Sequence, residues 1–324
     1  MNAVISAKRV VSLTTYGRLH LGFFNLSQPS PRQFGSVGVA IDAFQTSLTI
    51  RAGSQQAELD PWISKILNQH LVACGLKDDL NVTIEQAVPR HGGLGSGTQM
   101  ALALGAAVNT YYERPVVAAE IAAIHQRGAR SGIGIATFEQ GGFVVDGGRG
   151  PNTVVPPLLT RHAFPEDWHF LLIVDTSRDG LHGQGEKKAF QELMPPSLSA
   201  TQYIQQQLLI LGLPALIERD FAGFSQFIGA LQAYNADYFG PAQGGAYASK
   251  QVATILETLK QQGHVGLGQT SWGPTGFVLL PTRIDAVAIQ KRLLQEYAEN
   301  NSLSFLVTAA MNQPASIQIE EDAD

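Results

Sequence analysis

The sequence predicts an α+β protein of two domains. Strand-like and helix-like segments alternate irregularly, not in the regular strand–helix pairs of a doubly wound sheet. Its 324 residues suit one large or two ordinary domains. Apolar residues make up 44% and charged residues 15%, which fits a globular chain with a large core. Residues 147–157 are rich in Gly and Pro and offer a boundary, so the expected domains are 1–158 and 159–324.

The elements follow in order. Residues 9–16, 44–51 and 80–88 combine β-branched content with near-alternation and read as strands. Residues 61–74 read as a helix opened by Pro61, whose missing N–H costs nothing at that position. Residues 97–112 and 115–126 read as two helices joined by Glu113 and Arg114. Residues 141–148 read as a short strand closed by glycine turns, and the apolar run 169–175 as a buried strand. Helical patterns cover 185–194, 199–211, 214–233 and 246–262. Residues 265–280 are a glycine loop running into a strand, 284–300 a helix and 304–308 the final strand.

Composition excludes several function classes. Net charge is −5 and the basic residues are scattered, so nothing favours nucleic acid. One cysteine, Cys74, builds neither a disulfide framework nor a zinc site and reads as a core thiol. No segment has the apolar core of a signal peptide, and no run approaches the ~18 apolar residues of a membrane span. A soluble, cytoplasmic protein with no membrane partner is expected.

The strongest chemical signal is Pro89-Arg-His-Gly-Gly-Leu-Gly-Ser-Gly-Thr-Gln99, set between a strand-like and a helix-like run. Glycine lets backbone approach a phosphate, and the free N–H groups of a first helical turn point at it. Gly93, Leu94, Gly95, Ser96, Gly97 and Thr98 are therefore candidate phosphate or pyrophosphate ligands. The Ser96 and Thr98 hydroxyls either cap the helix or reach a magnesium ion on the phosphates. The loop is not a Walker A loop, since no Lys follows its last glycine, and its spacing is not the dinucleotide fingerprint. Two further glycine-rich passages, 130–135 and 266–276, suggest a polyphosphate held largely by main-chain donors.

The first loop resembles the phosphate loop of the GHMP kinase superfamily (galactokinase, homoserine kinase, mevalonate kinase), and Trp272-Gly-Pro-Thr-Gly276 stands where that superfamily has a late glycine loop. The middle passage departs from those kinases. Where they carry Ser-Gly-hydrophobic-Asp, with the Asp serving the acceptor hydroxyl, this chain has Ser131-Gly132-Ile133-Gly134, and glycine has no side chain to act as a base.

Within the superfamily the chain is more similar to the β-ribofuranosylaminobenzene 5′-phosphate synthases. That resemblance rests on Tyr16-Gly-Arg-Leu-His-Leu-Gly22, Gly35-Ser-Val-Gly-Val-Ala-Ile-Asp42, the segment 130–148 and Gln269-Thr-Ser-Trp-Gly-Pro-Thr275. It implies a two-domain GHMP-kinase-like fold with mixed or antiparallel sheets packed with helices. It implies a phosphoribosyltransferase that joins phosphoribosyl pyrophosphate to 4-aminobenzoate or 4-hydroxybenzoate, releasing carbon dioxide and pyrophosphate, in tetrahydromethanopterin-type cofactor synthesis. Mg2+ and a homodimer are expected with it. Such a reaction needs no hydroxyl-activating Asp. The alternatives are an ATP-dependent small-molecule kinase and a non-catalytic phosphometabolite-binding protein.

Several further side chains are candidates. Arg18 and His20 alternate with Leu19 and Leu21 and form either a catalytic pair on a substrate anion or a solvent-facing pair. Arg127 and Arg130 flank the middle loop as phosphate ligands or exposed cations; Arg130 joins Ser131 and Gly132 in the expected phosphate set. Glu139 is the expected polar catalytic residue and Asp146 a turn former. Asp42, Ser271, Trp272, Gly273 and Thr275 are expected on the acceptor or ribose, and Ser96 on the metal. His182 belongs either to a loop that closes over the site or to plain surface.

Overall fold

The computed structural model describes residues 9–55, 58–178, 180 and 183–321. Two long strands organise it. β1 (Arg9–Asn25) and β2 (Phe34–Ala52) pair antiparallel along most of their length. Both run further than the alternation of 9–16 and 44–51 predicts. Gly17 and Gly22 interrupt the pattern in β1, but irregularities between Tyr16 and Arg18 and between His20 and Gly22 absorb them without ending the strand.

β2 pairs on its other edge with β3 (Leu80–Gln86) through its second half and with β4 (Phe143–Asp146) through its first. β5 (Leu158–His162) extends the sheet beyond β4, and β10 (Ser316–Glu321) closes it beside β1. These two edge strands escape the sequence pattern because neither has a buried face to impose alternation: β10 is exposed throughout. The first sheet thus takes strands from both sides of residue 158.

α1 (Pro61–Cys74), α2 (Ser96–Tyr111) and α3 (Ala118–Ile124) cover one face of that sheet. α1 has the expected bounds: the Asp60 carboxylate accepts from Trp62 N and Gly75 ends it at φ 64°. α4 (Ile133–Gln140) replaces what reads as a glycine loop. Its β-branched, glycine-bearing sequence is a poor isolated helix, and its apolar side chains Ile133, Ile135 and Phe138 hold it by burial.

The second sheet is antiparallel in the order β7 (Leu267–Gln269), β8 (Gly276–Leu280), β6 (His169–Asp175), β9 (Leu303–Ala309). Both faces of β6 are covered. Leu171 and Ile173 meet α9 (Lys250–Gln261) and α10 (Arg283–Glu296), while Phe170 and Leu172 enter the large central core.

A run of helices follows β6 in the chain, beginning with α5 (Gly183–Glu192). α6 (Leu198–Gln207) passes through a π-helical turn into α7 (Leu213–Glu218). The single helix expected over 214–233 is broken: Arg219 adopts φ 60° and Asp220 caps a new helix, α8 (Phe221–Gln243). α8 packs Phe224, Phe227, Ile228 and Leu231 into the central core beside Leu19 and Leu21 of β1 and Phe277 of β8, so one core joins both sheets. No described helix is long and apolar enough to cross a membrane.

Candidate active site

Three distant segments converge where β1 passes the start of α2. The glycine loop leaves β3 and turns through Gly93 at φ 76° and Gly95 at φ 88°. A Cβ on Gly93 would stand 2.5 Å from Thr270 O, so only glycine permits this approach of the late loop. Thr270 then ties all three segments: its hydroxyl donates to Gly93 O at 2.9 Å and accepts from His20 N at 2.9 Å. Ser271 N donates to His20 O at 3.3 Å, and Gly180 N donates to His91 O at 3.2 Å.

A cleft of about 370 Å³ opens over this junction. Gly95 is the N-cap of α2 and has no side chain, so of the two alternatives for the Ser96 and Thr98 hydroxyls, capping the helix is not the one seen. Thr98 and Gln99 donate to Gly95 O, whereas Ser96 and Gly97, which line the cleft, belong to the first turn, whose N–H groups have no intrahelical acceptor. The Ser96 and Thr98 hydroxyls make no hydrogen bond among the described residues, which leaves them for a ligand.

Two guanidinium groups flank the loop. Arg18 donates through Nη1 to Gly93 O, and its N–H donates to Leu94 O at 3.0 Å. Arg127 follows α3; a Cβ on Gly97 would lie 3.1 Å from both of its terminal nitrogens. Burial pulls the Arg127 pKa below its ordinary value, and its Nε has no partner among the described residues. This half-buried guanidinium, with one N–H unpaired, has the chemistry to receive an anion. Arg90 also lines the cleft, 4.6 Å over the Trp62 ring. No Asp or Glu lines the cleft among the described residues.

Of the expected site residues, Arg18, Gly93, Gly95, Ser96, Gly97, Thr98, Ser271, Trp272 and Gly273 line this cleft. Leu94 and Thr275 are buried in its wall. His20 does not share the Arg18 opening; it is 3% exposed and lines a second, smaller pocket that shares Ser271 and Trp272 with the cleft. Burial, reinforced by the Arg18 charge, lowers its pKa to about 3, so its ring is neutral. Arg18, Leu19 and His20 pair in unbroken register with Ala40, Val39 and Gly38, so the expected alternation holds; His20 is set apart from Arg18 by its burial beside the late loop, where Ser271 N donates to His20 O.

The remaining expected residues lie elsewhere. Asp42 is exposed and accepts from Thr308 Oγ1 at 2.6 Å and Ala309 N at 3.0 Å, tying β2 to β9. Glu139 sits on the exposed end of α4, where partial burial raises its pKa. Arg130 lies 4.5 Å over the Phe190 ring. Ser131 and Gly132 serve Asp146. That fully buried carboxylate accepts from Ser131 Oγ, Ser36 Oγ, and the N–H groups of Ser36, Gly132 and Gly148. Burial raises the Asp146 pKa against the opposing pull of those bonds. Asp146 anchors the middle passage rather than merely forming a turn. His182 lies outside the described residues. Sequence reading passed over Thr270, although it stands inside a quoted motif, because a Thr that ties backbone segments leaves no periodic signal.

Comparison with known proteins identifies the family. Residues 63–142 match the GHMP kinases N terminal domain and residues 213–300 match the GHMP kinases C terminal domain, together more than half of the 324 residues. The chain belongs to the GHMP kinase family. Among curated proteins it is similar to beta-ribofuranosylphenol 5'-phosphate synthase of Methanothermobacter thermautotrophicus, at 27% identity over 81% of this chain and 86% of that one. The synthase of the same name from Archaeoglobus fulgidus is also 27% identical, over 96% of this chain and 100% of that one. By this relationship the GHMP chain is an enzyme. Solved GHMP structures share the fold. Homoserine kinase from Cytophaga hutchinsonii aligns at TM-score 0.67 and 16% identity, covering 96% of this chain and 98% of that one. Mevalonate diphosphate decarboxylase from Staphylococcus aureus aligns at TM-score 0.65 and 15% identity, covering 96% and 98%.

The expected magnesium finds hydroxyls at Ser96 and Thr98 but no carboxylate in the described lining of the cleft. No group of three or more His, Cys, Asp or Glu able to hold a metal occurs among the described residues. Protein-bound magnesium uses carboxylates together with substrate phosphates. These side chains alone therefore do not fit a resident ion.

Proposed function

We propose that this enzyme condenses phosphoribosyl pyrophosphate with 4-hydroxybenzoate or 4-aminobenzoate, releasing carbon dioxide and pyrophosphate. The observation that carries the reading is a cationic cleft with Gly134, not a carboxylate, beside Thr98 at its rim. A kinase must activate a hydroxyl; this cleft offers donors for a leaving anion and no described carboxylate to serve as a base.

The chemistry follows from those donors. The N–H groups of Ser96 and Gly97, with Arg18 and Arg127, face the pyrophosphate and hold the charge that grows as its bond to the anomeric carbon breaks. That electron pair leaves with pyrophosphate. The ring carbon bearing the carboxylate forms the new bond to the anomeric carbon, its electrons supplied by the hydroxyl or amino group across the ring. Loss of carbon dioxide returns the pair of the broken carbon–carbon bond to the ring and restores aromaticity. No proton need be removed by the protein at the attacking carbon. The neutral, buried His20 is consistent with this economy. A place in tetrahydromethanopterin-type synthesis belongs to the same reading.

The test is pyrophosphate release that requires both phosphoribosyl pyrophosphate and a para-substituted benzoate. Consumption of ATP with a small alcohol, at about 1 per second or more, and no such release would replace this reading with a kinase.

A further inference from the structure

We propose that Arg90, held in the lining of the cleft by the start of α1, binds the 5′-phosphate of the ribosyl donor. This rests on the donor being phosphoribosyl pyrophosphate. That molecule carries an anion at each end of its sugar, the pyrophosphate on the anomeric carbon and the phosphate on the 5′ carbon. The cleft answers with two separate sets of cations. Three arginines line it among the described residues: Arg18, Arg90 and Arg127. Two of them close on the first turn of α2. A Cβ on Gly95 would lie 3.3 Å from Arg18 Nε, and one on Gly97 3.1 Å from the terminal nitrogens of Arg127. Arg90 turns instead to α1, its guanidinium carbon 4.6 Å from the centre of the Trp62 ring, and Trp62 lines the same cleft. With the first set on the pyrophosphate, Arg90 is left for the second anion.

The start of α1 explains the pose of Arg90. Asp60 caps that helix: one carboxylate oxygen accepts from Trp62 N at 2.8 Å. Its other oxygen lies 3.8 Å from Arg90 Nη1, beyond hydrogen-bond distance. Asp60 thus draws the guanidinium toward Trp62 without occupying its N–H groups, and the indole face limits its rotation. The Arg90 side chain is 46% exposed and makes no hydrogen bond among the described residues. A guanidinium has five N–H donors in a planar fork, which matches two oxygens of one phosphate.

The carboxylate of the acceptor is the poorer partner. It has to leave as carbon dioxide, and an arginine fork on it would stabilise the charge that the reaction must lose. The 5′-phosphate keeps its charge throughout. A contact with it binds ground and transition states alike and holds the sugar so that its anomeric carbon faces the acceptor. Loss of Arg90 should therefore appear in KM for the donor, with kcat changed far less.

The experiment is calorimetric titration of the full chain with ribose 5-phosphate, which lacks the pyrophosphate, and with inorganic pyrophosphate, which lacks the sugar phosphate. It is run on wild type, Arg90→Ala, Arg90→Gln and Arg127→Ala, beside steady-state assays of labelled carbon dioxide release from 4-hydroxybenzoate. The expected result in the Arg90 variants is ribose 5-phosphate bound about tenfold or more weakly and pyrophosphate within about threefold of wild type, with the reverse in Arg127→Ala. The second Arg90 variant keeps the comparison if the first fails to fold. Ribose 5-phosphate bound as tightly by a folded Arg90 variant as by wild type overturns the proposal. So does equal weakening of pyrophosphate, or a rise in KM for 4-hydroxybenzoate alone, which would move the carboxylate to Arg90. Selective weakening of ribose 5-phosphate, with no carbon dioxide released by wild type, removes the proposed reaction but keeps the subsite. Release with the donor's KM untouched in both Arg90 variants does the reverse. A wild type that binds neither phosphate and releases no carbon dioxide removes both.

Discussion

Gly134 stands against Thr98: a Cβ on Gly134 would lie 3.0 Å from Thr98 Cγ2. The contact is fixed from behind, because Gln99 Nε2 donates to Gly134 O at 2.8 Å while Gln99 Oε1 accepts from Thr15 Oγ1 at 2.6 Å. The start of α4 is therefore held on the first turn of α2. The position that resemblance to GHMP kinases reserves for a hydroxyl-activating Asp is at the phosphate loop, and it is bare.

Gly134→Asp should consequently place a negative charge beside the pyrophosphate position. We expect pyrophosphate release to fall at least about tenfold, with KM for phosphoribosyl pyrophosphate raised and no ATP-dependent phosphotransfer gained. Steady-state assays with each donor check both halves.

Gly97→Ala separates the anion site from the fold. Gly97 is in the first turn of α2, where alanine is the better helix former by roughly 1 kcal/mol. Its Cβ meets only the far end of the Arg127 side chain, at 3.1 Å. The variant should melt no lower than wild type while its affinity for phosphoribosyl pyrophosphate drops. Gly95→Val is a poorer probe, since φ 88° strains any β-branched residue.

Arg127→Ala should lower kcat/KM for phosphoribosyl pyrophosphate by about 10- to 150-fold, equivalent to about 1.5–3 kcal/mol for a charge-assisted contact. KM for the benzoate should change little. Arg127→Lys should recover part of the loss, since an ammonium keeps the charge without the fork. Arg18→Ala should cost at least as much, because Arg18 also braces Gly93 O.

How much of this was legible depends on what left a local signal. The phosphate loop announced itself through glycine spacing between a strand and a helix, and α1 through Asp60, Pro61 and Gly75. The α+β class was legible from the irregular alternation of strand-like and helix-like segments, and the GHMP fold only through the resemblance of quoted motifs to that superfamily. Arg127 was visible only as one of two flanking arginines; its approach to Gly97 depends on how α3 packs. Asp146 read as a turn former because its donors come from Ser36, Gly132 and Gly148, which only the paired strands bring together. Asp42 looked like a ligand because nothing in the sequence shows that Thr308 and Ala309 consume it. β10 was missed because an exposed edge strand has no buried face to impose a pattern.

A buried histidine pair, His70 of α1 and His125 at the end of α3, predicts an acid sensitivity. His70 and His125 stack at 5.5 Å, His70 is bonded to Asn109 at 3.0 Å, and neither ring nitrogen of His125 has a partner among the described residues. Burial, then the His70 and Arg127 charges, lower the His125 pKa from 6.5 to about 4; burial lowers His70 as well. The unfolded chain therefore binds protons that the folded chain refuses. Stability is full above about pH 6.5 and is lost as pH falls toward about 4. Melting temperature should decline from pH 7 to pH 5, and the decline should be shallower in His125→Gln. An identical slope in that variant would remove the pair from the account.

The central claim is that this GHMP enzyme makes a carbon–carbon bond at an anomeric carbon instead of transferring a phosphoryl group. Its most direct test is incubation with phosphoribosyl pyrophosphate and carboxyl-labelled 4-hydroxybenzoate, counting labelled carbon dioxide against pyrophosphate. The account predicts equal amounts of the two, neither formed when either substrate is omitted, and an aryl ribosyl phosphate joined through carbon. Phosphorylation of a small alcohol by ATP, with all the label still in the benzoate, would contradict it.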